Sequence, residues 1–295
     1  MCPAAVNTKA QVREFIDIAA TNVAARLNSD APGANLTAQD AYAVMHMCPF
    51  DTVAKETISP FCDLFSKEDF EIYEYAGDLE KFYNTGYMLR LLRDEHTVNY
   101  FLISYGGPLG AVQGVGYINE LIARLTNSPV HHGLQTNSTL ISSPETFPLN
   151  RTIYADFSHD NLIIAVFAAM GLFNQTVGSL DRTKIAENRT WITSKMVPFS
   201  GHLTVERLSC PVHSPRNPSG PDSKELRDWV IRREDDEDGE KEEYVRVFVN
   251  DAKQPLHFCG PHGDGMCRLE EFVRSQEYAR NDGFGDFAAC AYTGG

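Results

Sequence analysis

No run of apolar residues in these 295 positions approaches the roughly 20 that a membrane-crossing helix needs, so no membrane partner is expected. Basic charge is scarce. Against 40 Asp and Glu there are 26 Lys and Arg, a formal net charge of −14 at pH 7. That balance argues against a nucleic-acid partner, which needs a basic footprint. Met1-Cys2-Pro3 opens directly into polar sequence, without the basic and apolar regions of a secretory signal. Gly110, Gly114 and Gly116 lack the G-x-G-x-x-G order of a dinucleotide loop. They read instead as positions for close helix packing, and no cofactor is expected. His131 and His132 sit in a polar loop, and no metal is assigned. Internal repeats are absent.

What is present is an ordinary globular composition, 43% hydrophobic and 22% charged, long enough for one large domain or two modest ones. At this net charge any anionic ligand needs a locally positive pocket. Acid pH helps, because protonating the nine histidines brings the formal charge to about −5. Seven cysteines leave at least one without an intrachain partner. Asn35, Asn137, Asn150, Asn174 and Asn188 each head an N-x-Ser/Thr sequon, five glycosylation candidates. Cysteines and sequons together point to an oxidising, secretory route. The expectation is a secreted, extracellular protein lacking its front.

Residues 150–170, NRTIYADFSHDNLIIAVFAAM, organise the rest. Residues 152–157 mix β-branched and aromatic side chains over a strand's length. From Asn161 the apolar spacing turns helical through Leu162, Val166 and Ala169. Ser158, His159 and Asp160 therefore fall where a strand gives way to a helix, the ligand-binding edge of an open α/β sheet. A helix N-terminus there favours an anion such as phosphate. His beside Asp can bond an anionic oxygen and pass a proton to a leaving group. The alternative is that Asp160 simply caps the helix.

Elsewhere the periodicity predicts helices over 11–27, 37–47, 68–82, 112–126 and 270–279. Thr37 is the expected N-cap of the second, with Asp40 as a capping-box partner. Strands are expected at 203–208 and 244–250, with a turn at Asn250-Asp251 and a return at 256–258. Residues 211–243 are Pro- and Ser-rich and then acidic, a solvated loop.

The stretch YADFSHDN after FPLN closely resembles the His-Asp motif of the histidine acid phosphatases, specifically the filamentous-fungal phytases. The resemblance recurs in MCPFDT at 47–52, SPFCDLF at 59–65 and PLGAVQGVGYINELIARL at 108–125, and runs in order along nearly the whole chain. It implies an α/β fold: a histidine-acid-phosphatase-like α/β lobe with a helical lobe, N-terminally incomplete. The lobes would be 1–87 (helical) and 106–295 (α/β). Between them 88–105 interrupts the family pattern, and deleting it restores the pattern. It is either a surface insertion or a retained intron, and the intron is favoured.

The resemblance also implies disulfides Cys48–Cys62, Cys259–Cys267 and Cys2–Cys290, leaving Cys210 unpaired because its family partner lies upstream. His159 would stabilise the phosphoryl oxygens, and Asp160 would protonate the departing alcohol. Lys81 and Asp40 match substrate-rim positions, unless they are ordinary exposed helix charges. The family nucleophile belongs to Arg-His-Gly-x-Arg-x-Pro, which occurs nowhere in these residues. The expected activity is hydrolysis of a small phosphate ester, phytate, by a metal-free monomer through a phosphohistidine, with this chain inactive alone. The alternatives are a broad-specificity secreted acid phosphatase and a non-catalytic secreted glycoprotein.

Overall fold

A computed structural model describes residues 9–85, 109–131, 136–174, 180–211, 241–260 and 265–289. In chain order the helices are α1 (Lys9–Ala19), α2 (Thr21–Asp30), α3 (Ala38–Met45), α4 (Met47–Lys55), α5 (Lys67–Thr85), α6 (Val115–Thr126), α7 (Ser138–Ile141), α8 (Asp160–Met170) and α9 (Thr193–Met196). Strands β1 (Leu203–Pro211), β2 (Lys241–Val249), β3 (Ala252–Lys253) and β4 (Cys267–Arg268) follow. Then come α10 (Leu269–Ser275), α11 (Glu277–Arg280) and α12 (Asp286–Ala289). The result is an α/β protein with a helical lobe. Two compact units divide it, Met1–His202 with Gln276–Gly295, and Leu203–Ser275.

In the first unit α1, α2, α3 and α5 pack together. Phe15 meets Tyr75 edge-to-face at 4.9 Å, and Tyr75, Leu79 and Phe82 are buried at the expected three- and four-residue spacing. The single helix expected over 11–27 is bent at Ala20 into α1 and α2. There the Thr21 hydroxyl donates to Asp17 O at 2.6 Å, a back-bond that commonly bends a helix. α3 begins with a complete capping box: Thr37 Oγ1 accepts from Asp40 N, and the Asp40 carboxylate accepts from Thr37 N.

α8 is the core helix of this unit. Every residue from Ile164 to Met170 is buried, as a helix apolar on all sides must be. Its neighbour is the 3₁₀ turn Ala111–Gly114 that leads into α6. A Cβ on Gly114 would stand 2.3 Å from Ala165 O, so only glycine allows this approach. Asn119 Nδ2 donates to Ala279 O at 2.9 Å, tying α6 to α11.

A buried ion network fixes α5 against residues 180–193. Asp78 Oδ2 accepts from Arg189 Nε at 2.7 Å and Asp78 Oδ1 from Thr193 N at 2.6 Å. Arg189 also pairs with Glu74 at 3.1 Å and packs over the Tyr75 ring.

The second unit is a small antiparallel sheet in the order β1-β2-β3, with β4 also against β2. β1 and β2 pair from Leu203↔Val249 to Pro211↔Lys241. Asn250 and Asp251, both at positive φ, make the turn, and the chain returns at once as β3. The return expected over 256–258 is instead buried Leu256 and a 3₁₀ turn, His257–Cys259. Cys259, the last residue of that turn, is bonded to Cys267 at the start of β4.

Residues 152–157 form no strand. β propensity alone does not make one: a strand exists only where a neighbour supplies the other half of the ladder, and among the described residues none does. Residues 88–105 lie outside the described residues.

Candidate active site at the start of α8

The segment 152–158 delivers His159 and Asp160 to the N-terminus of α8. His159 takes the cap position with extended φ/ψ of −120° and 160°, and its carbonyl accepts from Ile163 N at 3.0 Å. Its imidazole makes no capping bond. Asp160 is the first helical residue rather than the cap, so its carboxylate is available for other bonds. The first turn of an 11-residue helix, with its positive dipole end, faces the same place.

Lys81, near the end of α5, reaches this carboxylate. Its ammonium donates to Asp160 Oδ2 at 2.6 Å and to Asn161 Oδ1 at 2.7 Å. The lysine side chain is 17% exposed and the aspartate 48%. The Lys81 hydrogen bond holds the Asp160 carboxyl below the usual carboxylate range. The charge of Lys81, the Asn161 N–H and His159 act in the same sense, and partial burial opposes them. A cation, an acidic group, an imidazole and helix N–H groups thus converge at one exposed point, which suits an anionic ester oxygen.

Asp40 is not brought there. Its bonds are to Thr37, whose side-chain and backbone hydrogen bonds hold its carboxyl low. Cys48 is joined to Cys62 and Cys259 to Cys267, while Cys210 on β1 is free. Cys2 and Cys290 lie outside the described residues. Asn35, Asn137, Asn150, Asn174 and Asn188 are all exposed. No group of three or more metal-ligating side chains occurs among the described residues, and none of their helices is long and apolar enough to cross a membrane.

Asn161, the second acceptor for Lys81, is not among the residues that the sequence marks as functional. Its place directly after the His-Asp pair was the available signal, since N1 and N2 of one helix share its first turn.

Comparison with known proteins matches the histidine phosphatase superfamily (branch 2) over residues 2–250. Phytase A of Aspergillus awamori is 38% identical over 278 residues, 92% of this chain and 50% of the relative. Phytase A of Aspergillus terreus is 38% identical over 283 residues, 94% and 50% of the two chains. Phytase A of Arthroderma benhamiae is 39% identical over 265 residues, 88% and 49%. The chain spans about half the length of the curated relatives it matches. Among solved structures, the phytase from D. castellii superposes with a TM-score of 0.62 at 19% identity, over 95% of this chain and 46% of that one. That likeness concerns the fold, and with the family match over most of its length it leads to one conclusion: this chain belongs to branch 2 of the histidine phosphatase superfamily.

Proposed function

We propose that this chain carries the proton-donating half of a phosphomonoester hydrolase of the histidine acid phosphatase type, with phytate as substrate. The observation that carries the reading is Lys81 bonded to both Asp160 and Asn161 beside His159 at the start of α8. In the complete reaction a histidine of an Arg-His-Gly-x-Arg-x-Pro segment attacks phosphorus and the bond to the alcohol oxygen breaks. His159 stabilises the phosphoryl oxygens while Asp160 gives its proton to the departing alkoxide. Water then attacks the phosphohistidine, and the Asp160 carboxylate takes its proton. These 295 residues hold no such Arg-His-Gly segment.

Asp160 donates only when protonated, and Lys81 favours the carboxylate. A substrate phosphate that draws Lys81 to itself relieves that bias and raises the carboxyl toward its donor form. Acid pH works in the same direction. Asp40, matched to an acidic rim position, acts on substrate only by leaving its bonds to Thr37. The enzyme in this reading is a secreted, glycosylated, metal-free monomer, its lobes spanning 1–87 and 106–295.

Calorimetry with phytate and turnover of p-nitrophenyl phosphate test the reading together. The chain should bind phytate and lose that binding in Lys81→Met, and should turn over nothing above background. Equal affinity for p-nitrophenyl phosphate and phytate would favour a broad-specificity acid phosphatase. Absence of any phosphate-ester binding would favour a non-catalytic glycoprotein.

A further inference from the structure

Residues 152–157 have no ladder partner among the described residues, and side-chain bonds from α6 tie down the approach to His159. Arg124, in the last turn of α6, meets it. Its Nη1 donates to Asp156 Oδ2 at 2.5 Å and its Nη2 to Asp156 Oδ1 at 3.3 Å. The guanidinium carbon lies 5.1 Å from the ring centres of both Phe147 and Tyr154. The Tyr117 hydroxyl donates to Asp156 Oδ2 at 3.4 Å, and Glu120 stands 3.7 Å from the guanidinium. At the end of the same helix the Asn127 amide, with its nitrogen turned toward them, donates to Arg124 O and to Leu149 O at 3.3 and 2.9 Å. The Arg124 side chain is only 14% exposed.

The alternation along the segment is informative. Tyr154 and Asp156 face the guanidinium, whereas Ile153 and Phe157 are 83% and 97% exposed. One face of the segment is therefore fixed to α6 and the other is open. Only Phe157 and Ser158 separate Asp156 from His159, so few backbone torsions lie between the clamp and the imidazole. A two-pronged guanidinium–carboxylate pair sets orientation as well as distance, which a lysine point charge does not.

We propose that Arg124 is a positioning residue for the His159-Asp160 pair, acting through Asp156 to fix the segment that enters α8. It touches no reacting atom. The assignment rests on the phosphatase reading of the pair, but its test reads local order rather than activity, so the two can fail separately.

The experiment is backbone ¹⁵N relaxation of the full 295-residue chain, comparing the unaltered protein with Arg124→Gln, Arg124→Lys and Asp156→Asn. In the unaltered chain the amides of Phe157, Ser158 and His159 should show order parameters of about 0.85. In Arg124→Gln and Asp156→Asn they should fall below about 0.6, while those of 164–170 in α8 stay high. Arg124→Lys should fall between. Should Arg124→Gln fail to fold, Asp156→Asn, which alters a partly exposed carboxylate, carries the test. A folded variant with lower thermal stability and unchanged order at 157–159 would overturn the proposal, leaving Arg124 a packing residue.

Discussion

Lys81 and Asp160, 79 residues apart in sequence, are joined by a 2.6 Å hydrogen bond that couples the end of α5 to the start of α8. The bond lowers the Asp160 carboxyl in the folded chain. A carboxylate lowered in this way adds stability above its unfolded pKa, and that stability is lost as pH falls through the folded value. Lys81→Met should therefore raise the Asp160 titration and flatten this part of the acid limb. Urea denaturation between pH 2 and 6, roughly the range that brackets carboxylate titration, measures it. An acid limb identical in the two proteins would show that the pair is not formed in solution.

Gly114→Ala tests how α8 is seated. The added methyl would press on the Ala165 backbone rather than on a flexible side chain, so one of the two elements must move. The expected loss is about 1–3 kcal/mol, read from the urea midpoint. An unchanged midpoint would mean that the 3₁₀ turn and α8 stand farther apart.

Asp78→Ala should be more damaging. It leaves the Arg189 guanidinium and the Thr193 N–H without their buried acceptor, a change that typically costs about 3–5 kcal/mol. Burial pushes the Asp78 carboxyl up, against the bonds from Thr193 and Arg189. Asp78→Asn keeps an acceptor without the charge and should cost clearly less. Equal losses in chemical denaturation would contradict a network built on hydrogen bonding.

Local features were legible in sequence because their partners are close along the chain. Thr37 and Asp40 are three residues apart, and the capping box forms as read. The buried spacing of Tyr75, Leu79 and Phe82 needs only helical periodicity. Gly114 reads as a packing glycine, and Ala165 supplies the reason. Residues 152–157 read as a strand from composition, yet pairing is decided by a neighbour that composition does not name. The bend at Ala20 turns on one hydroxyl at Thr21. The approach of Lys81 to the motif was indicated only by family resemblance, and Asn161 and the Arg189 network were not indicated at all. Contacts across 79 to 115 residues leave no periodic trace.

The proposed roles of His159 and Asp160 can be separated in a chimera that joins this chain to the part of the Aspergillus awamori relative it does not match, provided the chimera hydrolyses phytate. Asp160→Asn should lower kcat on phytate by ~10²–10⁴-fold, the usual contribution of a general acid. The loss should shrink on p-nitrophenyl phosphate, whose leaving group departs with little protonation. His159→Ala should harm both substrates alike if, as proposed, it contacts the phosphoryl group they share. Unchanged phytate turnover in Asp160→Asn would reduce Asp160 to a helix-starting residue.

The measurement closest to the central claim is the titration of the Asp160 side-chain carboxyl, followed by ¹³C NMR with and without saturating phytate. If the start of α8 is a phosphate-ester site, phytate draws Lys81 away and places anionic oxygens beside the carboxyl, and both effects raise its midpoint. An upward shift with phytate is expected in the unaltered chain, and little shift in Lys81→Met, where that cation is gone. A midpoint that stays in place at saturating phytate, or moves down, would contradict it.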